Sequence, residues 1–80
     1  MFHVYILRSL RDGSHYIGQT SDLARRVEQH NIGACGFTSR HFPYELIHYE
    51  TYETRGEATT RERFLKTREG HLELKEKGIL

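Results

Sequence analysis

Cysteine and proline are scarce in this chain, which has only Cys35 and Pro43. One cysteine cannot form an internal disulfide bond or build a cysteine-rich zinc site, and it leaves reactive-thiol chemistry as a weak alternative. The six histidines show no HExxH motif or similar ligand spacing. The composition therefore excludes the cysteine-rich zinc and disulfide-stapled classes.

Long hydrophobic runs are also missing. No apolar stretch approaches the roughly 20 residues that a membrane-spanning helix needs, and Met1 leads directly into a strand-like segment without a charged leader and cleavage site. We therefore expect a cytoplasmic location and no membrane partner. A length of 80 residues suits one domain, residues 1–80, with a single hydrophobic core.

Charge of one sign is not in large excess, because the formal net charge is only +1. The protein is therefore not a polycation that would coat nucleic acid indiscriminately. Its first half nevertheless carries an arginine group, and the segment 45–57 is acidic. The arginines are Arg8, Arg11, Arg25, Arg26 and Arg40. A basic face and an ordinary solvated surface are equally good interpretations of this distribution.

The first half of the chain predicts a hairpin followed by a helix. Residues Phe2–Arg8 alternate and are rich in β-formers, and Asp12-Gly13 is a strong turn signal before a second strand at His15–Gln19. Polar capping residues then precede a short helix at Leu23–His30.

The second half predicts a loop, a strand and two helices. Gly33–Pro43 is read as a loop and Tyr44–Tyr52 as a third strand. Good helix formers continue from Arg55 to Arg68, where Gly70 is expected to interrupt them before a last helix at His71–Lys77. The predicted class is α/β, a three-stranded antiparallel sheet flanked by helices in the order β-β-α-β-α-α.

The hairpin loop decides which side chains meet across the first two strands. A four-residue loop at 10–13 would place Tyr5 opposite Gly18, with Tyr16 as its diagonal neighbour on the same face. A glycine there would leave open space beside the phenol for a phosphate or a water. A two-residue turn would keep the shared face but separate the phenols, and the sequence does not choose between the two loops.

Two polar residues lie beside the apolar stripe of the first helix. Arg26 and His30 are neighbours at i and i+4, next to Leu23 and Val27. A cation and an imidazole in this position could hold a phosphate. The alternative, which burial statistics favour, is a solvated Arg26 and a packing histidine.

Glu62 is the unexpected charge of the second helix, because it falls between Ala58 and Leu65 on the predicted inward stripe. Burying a carboxylate without a partner would cost several kcal/mol. We therefore expect Glu62 either to pair with a cation such as Arg26 or to bind a metal. Other charges of this helix are predicted to be ordinary surface groups, namely Glu57, Arg61, Arg63 and Lys66.

Taken together, these motifs resemble the GIY-YIG nuclease superfamily. The resemblance rests on Val4-Tyr5-Ile6, on Tyr16-Ile17-Gly18, on the segment Asp22–Asn31 and on Glu62 in a helix after the third strand. It covers the chain to about Lys66 and is closest to short stand-alone bacterial members related to the nuclease domain at the N-terminus of the bacterial excinuclease. The first motif departs from the family pattern because it lacks its glycine.

The resemblance implies a metal-dependent endonuclease that hydrolyses phosphodiester bonds of nucleic acid, expected to be DNA, in a process such as repair or recombination. In that family pattern Tyr5 would be the general base or would position the attacking water. Tyr16 would orient that water or the scissile phosphate, and Gly18 would allow a close backbone approach.

The remaining roles implied by the resemblance fall on the two helices. Arg26 would stabilise charge developing on the phosphate, and His30 would contact the phosphate or transfer a proton. Glu62 would hold one Mg²⁺ or Mn²⁺ ion. Waters and substrate oxygens would complete the coordination of that ion. Thr38 and Arg40 are weaker candidates for nucleic-acid contact.

Two other interpretations stay open. One is a non-catalytic nucleic-acid-binding module that keeps the fold or needs a homodimer or a partner protein to cut. The other is a small domain in which Arg26 and Glu62 merely pair with each other.

Overall fold

A three-stranded antiparallel sheet with three α-helices forms the molecule. The computed structural model describes residues 1–34 and 37–80, without the side chains of Phe37 and Thr38. Its elements are β1 (Phe2–Ser9), β2 (His15–Thr20), α1 (Leu23–Asn31), a 3₁₀ turn (Phe37–Arg40), β3 (Tyr44–Tyr52), α2 (Arg55–Leu65) and α3 (Arg68–Glu76). The strand order is β2-β1-β3, so the predicted fold class and element order are confirmed.

The hairpin between β1 and β2 uses the longer of the two loops considered. The amide of Ser9 donates to the carbonyl of Ser14 at 2.8 Å, and Gly13 takes a positive φ of 78°. The resulting register pairs Tyr5 with Gly18. The two motif tyrosines therefore lie on one face of the sheet, with ring centroids 6.2 Å apart.

Each face of the sheet has its own apolar cluster because side chains of β1 alternate between the faces. Val4 and Ile6 pack with α2 and α3 on one face, which we call the α2 face. Tyr5 and Leu7 lie on the opposite face, the α1 face, where Tyr16, Leu23 and Val27 pack against them. The motif residues of β2, which is one of the two edge strands, therefore lie where both faces of the sheet are accessible.

The predicted break at Gly70 is wrong. Helix α2 ends at Leu65, Thr67 caps α3 by accepting from the amide of Gly70, and Gly70 itself lies buried inside α3. A Cβ at this position would lie 2.1 Å from the backbone oxygen of Phe64. Gly70 is therefore present because two helices approach closely, which a local propensity does not reveal.

Arg61 is also not the ordinary surface charge that was predicted, since its side chain is only 21% exposed. Its Nε donates to Glu50 at 2.8 Å, and its Nη2 donates to Glu73. The register of β3 brings Glu50 beneath α2, so the guanidinium joins β3, α2 and α3. No helix in the described ranges is long and apolar enough to cross a membrane.

Candidate active site

The hydroxyl of Tyr5 is the centre of the polar cluster on the α1 face. It hydrogen-bonds with Nε2 of His30 at 2.9 Å and accepts from Nε of Arg26 at 3.4 Å. Tyr5 and His30 are both 0% exposed. The bond therefore ties β1 to α1 inside the protein, and we call these three residues the phenol cluster.

The protonation of His30 follows from its surroundings. Burial lowers the pKa of His30, and the nearby Arg26 guanidinium lowers it further. A guanidinium can only donate, so the Tyr5 hydroxyl accepts from Arg26 and is left to donate its proton to a neutral imidazole. His30 is thus a packing residue of the core as well as the acceptor that orients the phenol.

Gly18 lies directly against both motif tyrosines. A Cβ built on Gly18 would lie 2.7 Å from the hydroxyl of Tyr5 and 2.9 Å from the ring of Tyr16. The open space that the sequence predicted beside Tyr5 is therefore occupied by the phenols themselves. The close backbone approach expected at Gly18 is made to the tyrosines of its own chain.

Tyr16 is the half-buried member of the tyrosine pair. Its ring lies 4.8 Å from the imidazole of His30, centroid to centroid. It also lines a cavity of about 390 Å³ whose other walls are His15, Ile17, Lys66 and His71. We call this the β2-edge cavity. Tyr16 therefore borders the cavity along β2, while its ring lies on the α1 face against the phenol cluster.

Glu62 lies beside β2 on the other side of the edge. Gln19 of β2 donates to Thr59 of α2 at 2.7 Å, and Lys66 lines the β2-edge cavity. Helix geometry places Glu62 between these two points, since it lies three residues after Thr59 and four before Lys66. Its side chain is 18% exposed, and its carboxylate pairs with Nζ of Lys66 at 2.7 Å instead of with Arg26.

A polar groove lies at the far end of β2. Its volume is about 310 Å³, and its lining includes Arg25, Arg26, Arg55, Gln19 and Gln29. We call it the arginine groove. Arg26 therefore reaches the phenol cluster through Nε while also bordering a groove whose lining carries three arginines and one carboxylate, that of Asp22.

Comparisons with known proteins give the family of this chain. A family model described as the GIY-YIG catalytic domain matches residues 1–76. The chain belongs to the GIY-YIG family. The resemblance stated from the motifs is thus confirmed, and with it the coarse assignment to a nuclease-type family.

Relatives of this GIY-YIG protein are short proteins of the UPF0213 group. One from Haloquadratum walsbyi is 38% identical over 80 residues, covering 96% of this chain and 90% of the relative. One from Staphylococcus aureus is 43% identical over 65 residues, covering 80% and 78%. The solution NMR structure of a UPF0213 protein from Bacillus halodurans is 32% identical, with a TM-score of 0.55 and coverage of 92% and 82%. These names state no activity.

The donors available for a metal ion in the GIY-YIG chain are few. No group of three or more His, Cys, Asp or Glu side chains comes together within residues 1–34 and 37–80. A magnesium ion needs only one or two protein carboxylates, because waters and substrate oxygens fill its octahedron. The single carboxylate of Glu62 fits this requirement. The buried Oε1 of Gln19, which has no hydrogen-bond partner among the described residues, lies on the same side of α2.

The structure adds little support for the predicted nucleic-acid contacts of Thr38 and Arg40. The side chain of Thr38 lies outside what is described, so its predicted contact is untested. Arg40 is exposed, and its carbonyl accepts from Nη1 of Arg11 at 3.3 Å. Neither that contact nor any other described contact of Arg40 reaches the phenol cluster.

Sequence reasoning missed three residues near the site. Tyr44 is buried with its ring 6.0 Å from that of His30. His15 and His71 face each other across the β2-edge cavity. Alternation along β2 places His15 on the α2 face and so contained a hint, but the position of His71 depends on how α3 packs.

Proposed function

We propose that this GIY-YIG protein is an endonuclease that hydrolyses phosphodiester bonds of nucleic acid, DNA in the first instance, with one divalent metal ion. The observation that carries the proposal is the position of Tyr16. Its half-buried ring packs against the buried phenol cluster, and its position in β2 borders an open cavity. A structural domain has no need for that arrangement beside a half-buried carboxylate.

Tyr16 is the phenol that meets the substrate in this proposal. Tyr5 is fully buried and its hydroxyl is already bonded to His30 and Arg26. These contacts favour a positioning role for Tyr5 over that of a base. Tyr16 is half-buried, so its phenol is the more accessible of the two and its hydroxyl can orient an attacking water or the scissile phosphate.

Arg26 neutralises charge on the phosphate as the displacement proceeds. Its guanidinium is half-buried and lies in the arginine groove, where it has Nε on Tyr5 and Nη1 on Gln29 at 3.2 Å. Bonds at two nitrogens fix the plane of the guanidinium before a substrate arrives. His30 acts through Tyr5, and Gly18 acts by letting both phenols approach the backbone.

Glu62 would hold the metal ion, because divalent ions are general in GIY-YIG nucleases and this carboxylate fits one. A bound ion supplies a more acidic water and neutralises phosphate charge. Lys66 is 52% exposed, so it can swing away from Glu62 at little cost.

Cleavage of flap, nicked and linear DNA with Mg²⁺ or Mn²⁺ tests the proposal. Glu62→Gln should lower the rate by about 10²-fold or more, the loss typical of removing one electrostatic stabiliser of a transition state. Glu69→Gln is the matched control, because Glu69 is an exposed acid at the start of α3. Equal cutting by native and Glu62→Gln protein would assign the activity to a contaminant.

A second candidate is a binding module that cuts nothing by itself or needs a second copy or a partner protein. The full burial of Tyr5 favours it, since that phenol cannot reach a substrate without motion. Binding of the same DNA substrates by both native and Glu62→Gln protein, with cutting by neither, would select this candidate.

A further inference from the structure

We infer that the β2-edge cavity is a second phosphate subsite, which holds a backbone phosphate of the nucleic acid a few phosphates away from the one that reacts. The inference rests on the proposed function, because it assigns a further contact of the same substrate. It concerns Lys66, His15 and His71, none of which the motifs single out as binding residues. A volume of about 390 Å³ is in the range of small-ligand sites.

The charges around the cavity favour an anion. Partial burial lowers the pKa of His15, and the positive charges of Arg8 and His71 lower it further. Lys66 is the third basic side chain of the lining, after His15 and His71. Glu62 neutralises Lys66 and Glu45 neutralises Arg8, so Lys66 becomes available to an anion when another cation takes its place at Glu62. A bound phosphate would in turn favour the protonated form of His15.

The position of the cavity fits the path of one nucleic-acid strand. The arginine groove lies at the Thr20 end of β2 and the cavity at the His15 end. At roughly 3.4 Å per residue the two ends are about 17 Å apart, or about five phosphates at the 3.4 Å rise of one strand in a duplex. A strand that contacts Arg26 in the groove can therefore reach the cavity a few phosphates further on.

Lys66 connects the subsite with the metal-binding carboxylate. In the absence of ligands its ammonium group pairs with Glu62. An ion on Glu62 would replace Lys66 as the neutralising charge, and the ammonium would then turn toward a phosphate in the cavity. The two ligands therefore favour each other's binding.

Salt-dependent binding of a labelled nicked DNA duplex tests the subsite. It is measured with Ca²⁺ in place of Mg²⁺ and under conditions where no product forms, so that an ion can occupy Glu62 and release Lys66. Lys66→Gln should weaken binding several-fold and lower the slope of log K against log salt by about 1, the loss expected for one phosphate contact. Lys75→Gln is the matched control, because Lys75 is an exposed lysine of α3 that does not line the cavity. Equal slopes for the two variants would overturn the subsite.

Titration of the protein with inorganic phosphate gives an independent readout by NMR of the imidazole rings. The resonances of His15 and His71 should move, while those of His48, which is bonded to Glu50, should not. In Lys66→Gln, the shifts of both histidine resonances should become smaller. In His71→Gln, a change at an exposed position, the shift of the His15 resonance should become smaller. Uniform movement of every histidine, or none, would sink the proposal.

The subsite and the nuclease can fail separately. If the protein never cuts DNA, but its histidine resonances respond to phosphate and Lys66→Gln has the smaller salt slope, the subsite stands and the nuclease proposal is contradicted. If the protein cuts DNA at a rate that depends on Glu62, but Lys66→Gln and Lys75→Gln bind DNA equally well, the nuclease proposal stands and the subsite is contradicted.

Discussion

One hydroxyl group holds much of the candidate site together. The Tyr5 oxygen accepts from Arg26, bonds to His30 and fills the space over Gly18. A single atom of β1 therefore contacts both α1 and β2. Its removal should affect folding and chemistry together.

Tyr5→Phe should lower the free energy of unfolding by about 1–3 kcal/mol, because a buried imidazole loses its partner. Urea unfolding measures this value. Tyr49→Phe is the matched control, since Tyr49 is 54% exposed and should change stability by less than about 0.5 kcal/mol. Equal effects of the two substitutions would contradict the buried hydrogen bond.

Gly18→Ala should cost about 1–3 kcal/mol through overpacking, since the new methyl group meets the Tyr5 hydroxyl first. Adding Tyr5→Phe removes that oxygen, so the double variant should be more stable than the sum of the two losses predicts. The ring of Tyr16 remains 2.9 Å away, so the recovery should be partial. Strict additivity in a double-mutant cycle would show that the two groups do not touch.

The sequence could predict which side chains share a face of the sheet but not which residues pair or how tightly they meet. Alternation along two strands puts Tyr5 and Tyr16 on one face, whereas the pairing of Tyr5 with Gly18 depends on the longer of two hairpin loops that the sequence left open. Whether the space between them is open depends on side-chain torsions that no local pattern encodes. The prediction of an empty space was wrong for this reason.

At the level of elements, the junction of α2 and α3 also shows that close packing cannot be predicted from a local sequence pattern. A glycine in a helical sequence suggests a break, yet Gly70 allows the backbone of α2 to pass within contact distance. The break itself follows from Thr67, whose hydroxyl caps α3. The start of α1 was predicted from its capping residues, whereas the end of α2, the cap at Thr67 and the packing of the two helices were not.

Gly70→Ala should destabilise the protein by about 3 kcal/mol, because its methyl group would lie on the Phe64 backbone, which cannot move aside as a side chain can. Gly56→Ala is the control within α2, where nothing lies within 4 Å of the added Cβ. That change should stabilise the helix by about 0.5–1 kcal/mol. Thermal unfolding of both variants checks the opposite signs.

At the scale of the molecule, the network around Glu50 joins β3 to both C-terminal helices. Burial alone would raise the pKa of Glu50, but hydrogen bonds from Arg61, Tyr52 and His48 lower it from 4.5 to about 2. This network could not be predicted from the sequence, since Glu50 and Arg61 meet only after α2 crosses the sheet. The individual charges carry no sign of it.

Acid should therefore weaken the fold in a defined window. A carboxyl whose folded pKa lies below its unfolded pKa contributes stability above about pH 4.5 and loses it as the pH falls through about 2. The loss is at most about 3 kcal/mol. Urea unfolding at pH 5.5 and pH 3 measures it, and Glu50→Gln should reduce the difference. The exposed Glu53→Gln should leave it unchanged, and a reduction there too would contradict the assignment.

The burial of Tyr5 and His30 has a consequence for how the proposed nuclease can evolve. Residues proposed to shape its chemistry also form the contact between a strand and a helix. A lineage selected at high temperature would gain by tightening that contact and would lose the small movements that let a phosphate approach. Substitutions at this one pair of side chains would then raise thermal stability while lowering the turnover rate, or the reverse.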